Sequence, residues 1–317
     1  MSSLPLPLTE AAPFYHDVAE GPAAQAFWVR ASDGLRLRVC LWAGGDAGTV
    51  LIFNGRTECC EKYGRTAADF VARGFAVATL DWRGQGLADR QASDRQLGHV
   101  LRFSDYQHDV AALMSAVRAA NLPEPYYLIG HSMGGCIGLR ALHNELPVKA
   151  AFFGAPMWGI GLSSAMRPTA WAVSWAATQL GLGARYAPGR SSETYLLAEP
   201  FAGNDLTTDA DMFAYMQEQV RRYPDLGLGG PSLRWVYEAL VEMRDLMAMP
   251  PPPVPVLTGL GSNERIVDPA PIKRYMPGWA QGRLRVVDGA EHELLMETPA
   301  TRAALTEEIV ALFLANG

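Results

Sequence analysis

The sequence predicts an α/β fold: a mostly parallel central sheet flanked by helices, with a helical insertion. Three observations predict it. Short apolar runs rich in β-branched and aromatic residues alternate with longer stretches of helical periodicity as far as residue 154. That alternation lapses between Ala155 and about Pro250, where the chain reads as helical and rich in Trp, Tyr and Met. It resumes after the stiff "MPPPPVP" stretch at 249–255. The expected organisation is therefore a first core part at 1–154, a cap insertion at 155–250 and a second core part at 251–317. The 317 residues are more than one hydrophobic core usually serves.

The elements follow in chain order. "MSSLPLPLTEAAPFYHD" lacks the basic start and apolar run of a secretory signal, and its prolines break any helix, so it is expected as a surface tail. "AFWVRASDGLRLRVCLW" (26–42) reads as two antiparallel strands turning at Asp33-Gly34. "TVLIFN" (49–54) is a buried strand, a helix is expected over 58–73, and "FAVATL" (75–80) is the next strand. The helix over 104–120 is expected to open on a capping box, Ser104 with Gln107, and to bury Val110, Leu113, Met114 and Val117 on one face. "PYYLIG" (125–130) feeds a helix from about Cys136, and "VKAAFFG" (148–154) follows as a strand. After the insertion come "VPVLTGLG" (254–261), a helix near 269–276, "LRVVDG" (284–289) and a helix from about Ala300.

Composition narrows the function. The net charge is −6 and the basic residues are scattered, which argues against nucleic acid as a partner. Cys40, Cys59, Cys60 and Cys136 have neither metal-ligand spacing nor the density of a disulfide scaffold, so a reducing, cytoplasmic setting is expected. "PTAWAVSWAATQLGLGA" (168–184) is short for a bilayer span and carries Thr, Ser and Gln; it reads as a cap or interfacial helix.

The chemistry centres on "LIGHSMGGCIG" (128–138). Gly130-His131-Ser132-Met133-Gly134 fits G-x-S-x-G, a strand-to-helix bend that lifts a serine hydroxyl above the sheet. Such a serine needs a base, and His292 is the sole histidine after His143. An orienting acid should end the preceding strand, where Glu264 and Asp268 compete; Asp288 and Glu291 are more remote candidates. The developing oxyanion needs two preorganised donors, expected from the backbone N–H groups of Met133 and of Arg56 in the loop after "VLIFN". Trp158, Trp171 and Trp175, with Leu180 and Leu182, offer apolar surface to line an acyl tunnel or to contact a membrane peripherally. No metal or organic cofactor is required.

Beyond the bend, "DWRGQGLADR" (81–90), "HVLRFSDYQHDV" (99–110), "GAPMWGI" (154–160), "GGPSLRWVYEA" (229–239), "ERIVD" (264–268) and "GAEHELLMETP" (289–299) extend the pattern. On these segments the chain resembles α/β-hydrolases of the bacterial lysophospholipase and monoglyceride-lipase type, a serine aminopeptidase-like family. The resemblance implies hydrolysis of a small-molecule lipid or ester, a lysophospholipid or monoacylglycerol, and with a lysophospholipid it makes Arg56, Arg185, Arg190, Arg221 and Arg222 candidates to meet the phosphate. It puts the nucleophile on Ser132, the base on His292 and the acid on Glu264, at the head of the D/E-R-x-V/C-D pattern, with Asp268 at its non-catalytic end. It makes His131 a structural neighbour of the nucleophile. Two positions depart from the pattern: Asn54-Gly55-Arg56-Thr57 stands where relatives carry H-G-x-G, and Ala88 replaces a common serine. A general carboxylesterase or an aminopeptidase on the same triad is the alternative, and the latter would need acidic residues such as Glu193, Glu199, Asp205, Asp209 and Asp211 to hold a substrate amine. A non-catalytic binding protein on the same scaffold would be expected to lack a triad member.

Overall fold

Apolar strands too hydrophobic to face water must be covered on both sides, and in the computed structural model, which describes residues 8–163 and 165–317, they are. The Asp33-Gly34 turn joins β1 (Gln25–Arg30) to β2 (Arg36–Trp42) as an antiparallel pair. β3 (Thr49–Phe53), β4 (Ala76–Asp81), β5 (Tyr126–His131), β6 (Val148–Gly154), β7 (Val256–Gly261) and β8 (Gly282–Val287) complete one sheet of eight strands in the order β1-β2-β4-β3-β5-β6-β7-β8. Only the β1–β2 and β2–β4 pairings are antiparallel. The chain leaves β3 for β4 on one side and returns to β5 on the other. That reversal opens a crevice at the carboxyl ends of β3 and β5, the usual ligand position in such sheets.

The period-two alternation of each strand divides the core between the faces. Leu51 and Phe53 of β3 pack on one side, against α3 (Tyr106–Ala119) and α4 (Met133–His143); Val50 and Ile52 pack on the other, against α2 (Gly64–Val71) and α10 (Pro299–Leu314). Val110, Leu113, Met114 and Val117 all lie buried on α3 as expected. Two edge strands remain. Glu10 and Ala12 of the N-terminal segment hydrogen-bond along β1, through Trp28 N–H to Glu10 O and Ala12 N–H to Ala26 O, both 2.9 Å. At the other edge β8 presents Arg283 and Arg285, charges that discourage further strand addition.

Between β6 and β7 the chain forms α5 (Met166–Gln179), α6 (Tyr195–Ala198), α7 (Ala210–Arg222) and α8 (Leu233–Met247), and after β7 comes α9 (Pro269–Tyr275). α8 buries Trp235, Ala239, Leu240, Met243 and Leu246 in the α3–α4 side of the core, and α5 packs on α8. α7 buries Met212, Tyr215 and Met216 on the opposite side. None of these helices, nor any other among the described residues, is long and apolar enough to cross a membrane.

Three local expectations are corrected. Residues 58–73 begin as extended chain and a 3-10 turn at Cys60–Tyr63 before α2, because the Glu58, Glu61 and Lys62 side chains are drawn into buried ion pairs. The Ser104–Gln107 capping box does not form; a 3-10 turn at Phe103–Asp105 leads into α3, and Gln107 donates instead to the Ile137 carbonyl on α4 at 3.2 Å. The N-terminal segment carries one short helix, α1 (His16–Ala19), that buries Val18 and Ala19; residues 1–7 lie outside the described residues.

Candidate active site

Ser132 occupies a sharp bend between β5 and α4, with φ 50° and ψ −117°, a left-handed conformation that non-glycine residues adopt only where the surroundings impose it. Here the neighbours impose it from both directions: Ser132 N–H donates to Gly154 O at 3.0 Å, and Ser132 O accepts from Met157 N–H at 2.8 Å and Gly135 N–H at 2.9 Å. The glycine two residues on is obligatory. A Cβ at Gly134 would lie 1.9 Å from the Phe53 carbonyl oxygen, so α4 starts directly against the end of β3.

That end of β3 carries the second loop. Gly55 N–H donates to Glu58 Oε2 at 2.6 Å and Thr57 N–H to Gln85 Oε1 at 3.0 Å, while Gln85 Nε2 donates back to Gly55 O. Among the described residues, the backbone N–H groups of Arg56 and of Met133 have no hydrogen-bond partner. The Gly55 and Thr57 N–H groups on either side of Arg56 are thus fixed by side chains. The Arg56 side chain turns away from its own N–H: its Nη2 donates to Gly229 O at 2.5 Å and its guanidinium lies 5.4 Å from the Trp235 ring centre, where burial lowers its pKa to about 10.

Spacing left two acids in competition at the end of β7, and the structure separates them. Glu264 Oε2 accepts from His292 Nδ1 at 2.8 Å, while its Oε1 accepts from Ile266 N–H at 2.7 Å and Val267 N–H at 3.0 Å. Burial works against the Glu264 charge, but His292 and these two N–H groups outweigh it and hold the carboxyl below its ordinary value. An ionised carboxylate only accepts, so His292 carries its proton on Nδ1 and leaves Nε2 as an acceptor. Asp268 is committed elsewhere: it caps α9 through Ala270 N–H and pairs with Arg167 at 2.7 Å. Asp288 is exposed, and Glu291 pairs with Arg265. His292 itself is buried on the loop after β8, its ring centre 4.8 Å from that of His131, the residue preceding Ser132.

The family model described as serine aminopeptidase, S33, matches residues 45–299. The chain belongs to this hydrolase family. Lysophospholipase L2 of Escherichia coli K12 is 32% identical over 276 residues, covering 83% of this chain and 79% of that protein. A soluble variant of monoglyceride lipase from Saccharomyces cerevisiae, solved with a substrate analog, matches at TM-score 0.68 and 19% identity over 90% of this chain and 93% of that one. A carboxyl esterase from Bacillus coagulans, solved with glycerol, matches at TM-score 0.72 and 16% identity over 93% and 99%. The structural likenesses confirm the α/β-hydrolase fold.

Within the S33 framework the remaining candidates scatter. Trp158 is corrected from a cap residue to a core one: it is 1% exposed, stacks on Trp279, packs edge-on against Phe153 and Tyr275, and donates from Nε1 to Gly135 O. The reason is its place only four residues beyond β6, where the chain is still inside the fold. Trp171 is half-buried between α5 and α8, edge-on to Tyr237 with Arg244 over its ring; Trp175 is 51% exposed. Arg221 and Arg222 pair with Glu218 and Asp17, and Arg185 and Arg190 are exposed. The five acids proposed to hold an amine are dispersed: Asp205 pairs with Arg265, Asp209 caps α7, Asp211 pairs with Arg65, and Glu193 and Glu199 face solvent.

Sequence reasoning missed a buried group beside the site. Glu58, Lys62 and Glu293 surround His131: Lys62 Nζ lies 2.9 Å from Glu58 Oε1 and 2.6 Å from Glu293 Oε1, and His131 Nε2 lies 3.1 Å from Glu293 Oε2. Two signals were there to read: the Glu58–Lys62 spacing of four residues, and Lys62 being one of only three lysines in the chain. Glu58, His131 and Glu293 offer three ligand atoms within 4.8 Å of one another, a spacing that suits a metal ion. The Lys62 ammonium bonds both carboxylates and already does there what a cation would do.

The chain between β6 and β7 is stitched to the loops that carry Glu264 and His292. Gly161 N–H donates to Ile266 O and Asp268 N–H to Gly159 O beside the Glu264 loop. Glu293 N–H donates to Leu206 O and Thr207 Oγ1 to Met296 O beside the His292 loop.

Proposed function

We propose that the protein hydrolyses the ester of a monoacyl lipid, a lysophospholipid or a monoacylglycerol, through an acyl-enzyme on Ser132. The observation that carries this reading is the His292 Nδ1 to Glu264 hydrogen bond at 2.8 Å, which fixes the tautomer a general base needs. In this mechanism His292 Nε2 takes the Ser132 hydroxyl proton as the oxygen attacks the ester carbonyl. Backbone N–H groups of Met133 and Arg56 hold the oxyanion, and Glu264 stabilises the imidazolium. His292 then gives the proton to the leaving alcohol, and water, activated by the same nitrogen, releases the fatty acid. The kinship with lysophospholipase L2 supports the substrate class.

Residues 155–250 serve in this reading as a cap that borders the acyl site, and its contacts with both catalytic loops support that role. α5 would be the face presented to substrate aggregates. It carries one charge, Arg167, and exposes Met166, Val173 and Trp175, with Leu180 just beyond its end. Such a face suits peripheral contact with a membrane surface.

The test is active-site labelling with a fluorophosphonate, combined with hydrolysis of lysophosphatidylcholine, monoacylglycerol, a p-nitrophenyl ester series and an amino-acid anilide. Labelling should vanish in Ser132→Ala, and long monoacyl esters should be the best substrates. Faster cleavage of the anilide would sink the lipid reading in favour of an aminopeptidase. Vesicle flotation tests the α5 contact: wild type should float with the lipid, and absence of binding removes that claim.

A further inference from the structure

The acyl transfer above uses neither Glu58, Lys62, His131 nor Glu293, yet all four are buried charged or titratable side chains beside it. They come from three separated places: Glu58 and Lys62 from the chain after β3, His131 from the last position of β5, and Glu293 from the position after His292. Their contacts join those places. Glu58 Oε2 accepts from the Gly55 N–H of the candidate oxyanion loop and from Tyr63 Oη, each at 2.6 Å, and Lys62 bridges Glu58 to Glu293.

The protonation of His131 follows from what its nitrogens face. Nδ1 meets only the Gly154 carbonyl oxygen, at 3.1 Å; a carbonyl cannot donate, so Nδ1 carries hydrogen. Nε2 lies within ion-pair range of two carboxylates, Glu293 at 3.1 Å and Glu58 at 3.4 Å, without a well-directed hydrogen bond to either, so its contact with them is one of charge. Two carboxylates this close to Nε2 favour a second proton on the ring over a bare lone pair facing them. With His131 an imidazolium the quartet holds two cations and two anions, and a buried set of charges is tolerable only when balanced in this way.

We propose that Glu58, Lys62, His131 and Glu293 form a charge-balanced clasp that positions the oxyanion loop against the loop bearing His292, with His131 as a standing imidazolium. The inference rests on the acyl-transfer reading of Ser132 and His292. The groups facing His131 are Glu58, Lys62 and Tyr63 from the chain after β3, with Glu293 and His292 from the loop after β8. Burial alone would lower the His131 pKa, but the charges of Glu293 and Glu58 outweigh it and raise it above the ordinary histidine value. For Lys62 burial is likewise outweighed by the same two carboxylates, which raise it; Glu293, despite burial, is held well below its ordinary value by His131 and Lys62.

Because the ring of His131 lies 4.8 Å from that of His292, the balance of this set acts on the base. Removing the Glu293 charge leaves excess positive charge beside a base that must gain a proton; removing the Lys62 charge does the reverse. The experiment is steady-state kinetics of Glu293→Gln and Lys62→Met on a soluble p-nitrophenyl ester across pH. Both should lose about tenfold or more in kcat with KM changed less than about twofold, the signature of lost positioning rather than lost binding. The acid limb of kcat/KM should move to lower pH in Glu293→Gln and to higher pH in Lys62→Met. Shifts in the same direction, or none, overturn the proposal. Should either variant fail to fold, nitrogen-15 histidine spectra of Ser132→Ala decide: His131 should remain doubly protonated at about pH 7, above the ordinary histidine value, and a neutral ring there overturns the clasp. Failure of wild type to label with fluorophosphonate would instead remove the acyl-transfer reading, and the His131 spectra would still report its charge.

Discussion

α4 and α5 are both poor in charge and rich in apolar side chains, yet the fold treats them in opposite ways. α4 is buried over nearly its whole length, with Met133, Cys136, Ile137 and Leu139 fully inside. α5 buries only Ser174 and Ala177 fully and leaves Met166 at 59% and Val173 at 42% exposure, with Leu180 just past its end at 73%. For α4 the apolar residues and glycines are a packing requirement, because the helix starts against β3. For α5 those outward side chains stay exposed among the described residues, which leaves them free of any packing requirement. The same composition thus serves the core in one helix, and in the other leaves the apolar face on which the proposed membrane contact rests.

The contrast can be broken most severely at Gly134. Gly134→Ala places a methyl into the backbone of Phe53 and Asn54, and the expected cost is about 3 kcal/mol, the upper end for overpacking, with loss of the Ser132 bend, read by thermal unfolding and fluorophosphonate labelling. A variant of wild-type stability and reactivity would refute the tight seating of α4.

Next come the two acids, one on each side of the comparison: Glu264 serves His292, and Asp268 ties to Arg167 on α5. Glu264→Gln should lower kcat by roughly a thousandfold or more, as loss of the orienting acid does elsewhere. Asp268→Asn should leave kcat for a soluble ester within a few fold. Similar losses in both would return the assignment to the ambiguity of the sequence.

A smaller effect is expected in the pH dependence of stability. Glu264 and Glu293 have folded pKa values below the ordinary glutamate value of 4.5, so the unfolded chain binds their protons first. The stability they contribute is fully present above that value and is lost as pH falls through their lower folded values. Chemical denaturation below about pH 5 should therefore show wild type losing stability faster than Glu264→Gln. Parallel curves would show that Glu264 is not held ionised by the fold.

Smallest should be the effect of stripping α5. Val173→Ser with Leu180→Ser should change stability by no more than about 0.5 kcal/mol, as surface substitutions usually do. The same pair should weaken vesicle binding and slow hydrolysis of aggregated lipid while leaving a short soluble ester unaffected. Equal rates on both substrates would make the bare face of α5 irrelevant to activity.

How far the sequence could be read depends on how local each feature is. The eight strands stood within a residue or two of their apolar runs, and for the six inner ones the reason is that a strand buried on both faces has few ways to look otherwise. Ser132 was legible because the bend demands glycines at fixed offsets. The choice of Glu264 over Asp268 was beyond spacing alone, since both lie on the same loop and only the three-dimensional path of that loop brings one to His292. Gln107 fitted a capping pattern and was taken instead by a carbonyl of α4, a tertiary contact that no local rule contains. Trp158 looked like cap because its neighbours in sequence are helical and aromatic, while its position just past β6 keeps it inside the fold. The Glu58, Lys62 and Glu293 group was the least visible, because it joins segments more than two hundred residues apart.

The four cysteines have a practical consequence. Cys40, Cys59, Cys60 and Cys136 are all buried and unpaired, and burial raises the thiols of Cys59, Cys60 and Cys136 well above their ordinary value. Native protein should therefore ignore thiol-modifying reagents at neutral pH, while an opened chain should consume them. Four sulfurs placed to pack the interior thus act as an internal clock for opening, recording how often the chain exposes β2, the turn before α2 and the helix behind Ser132.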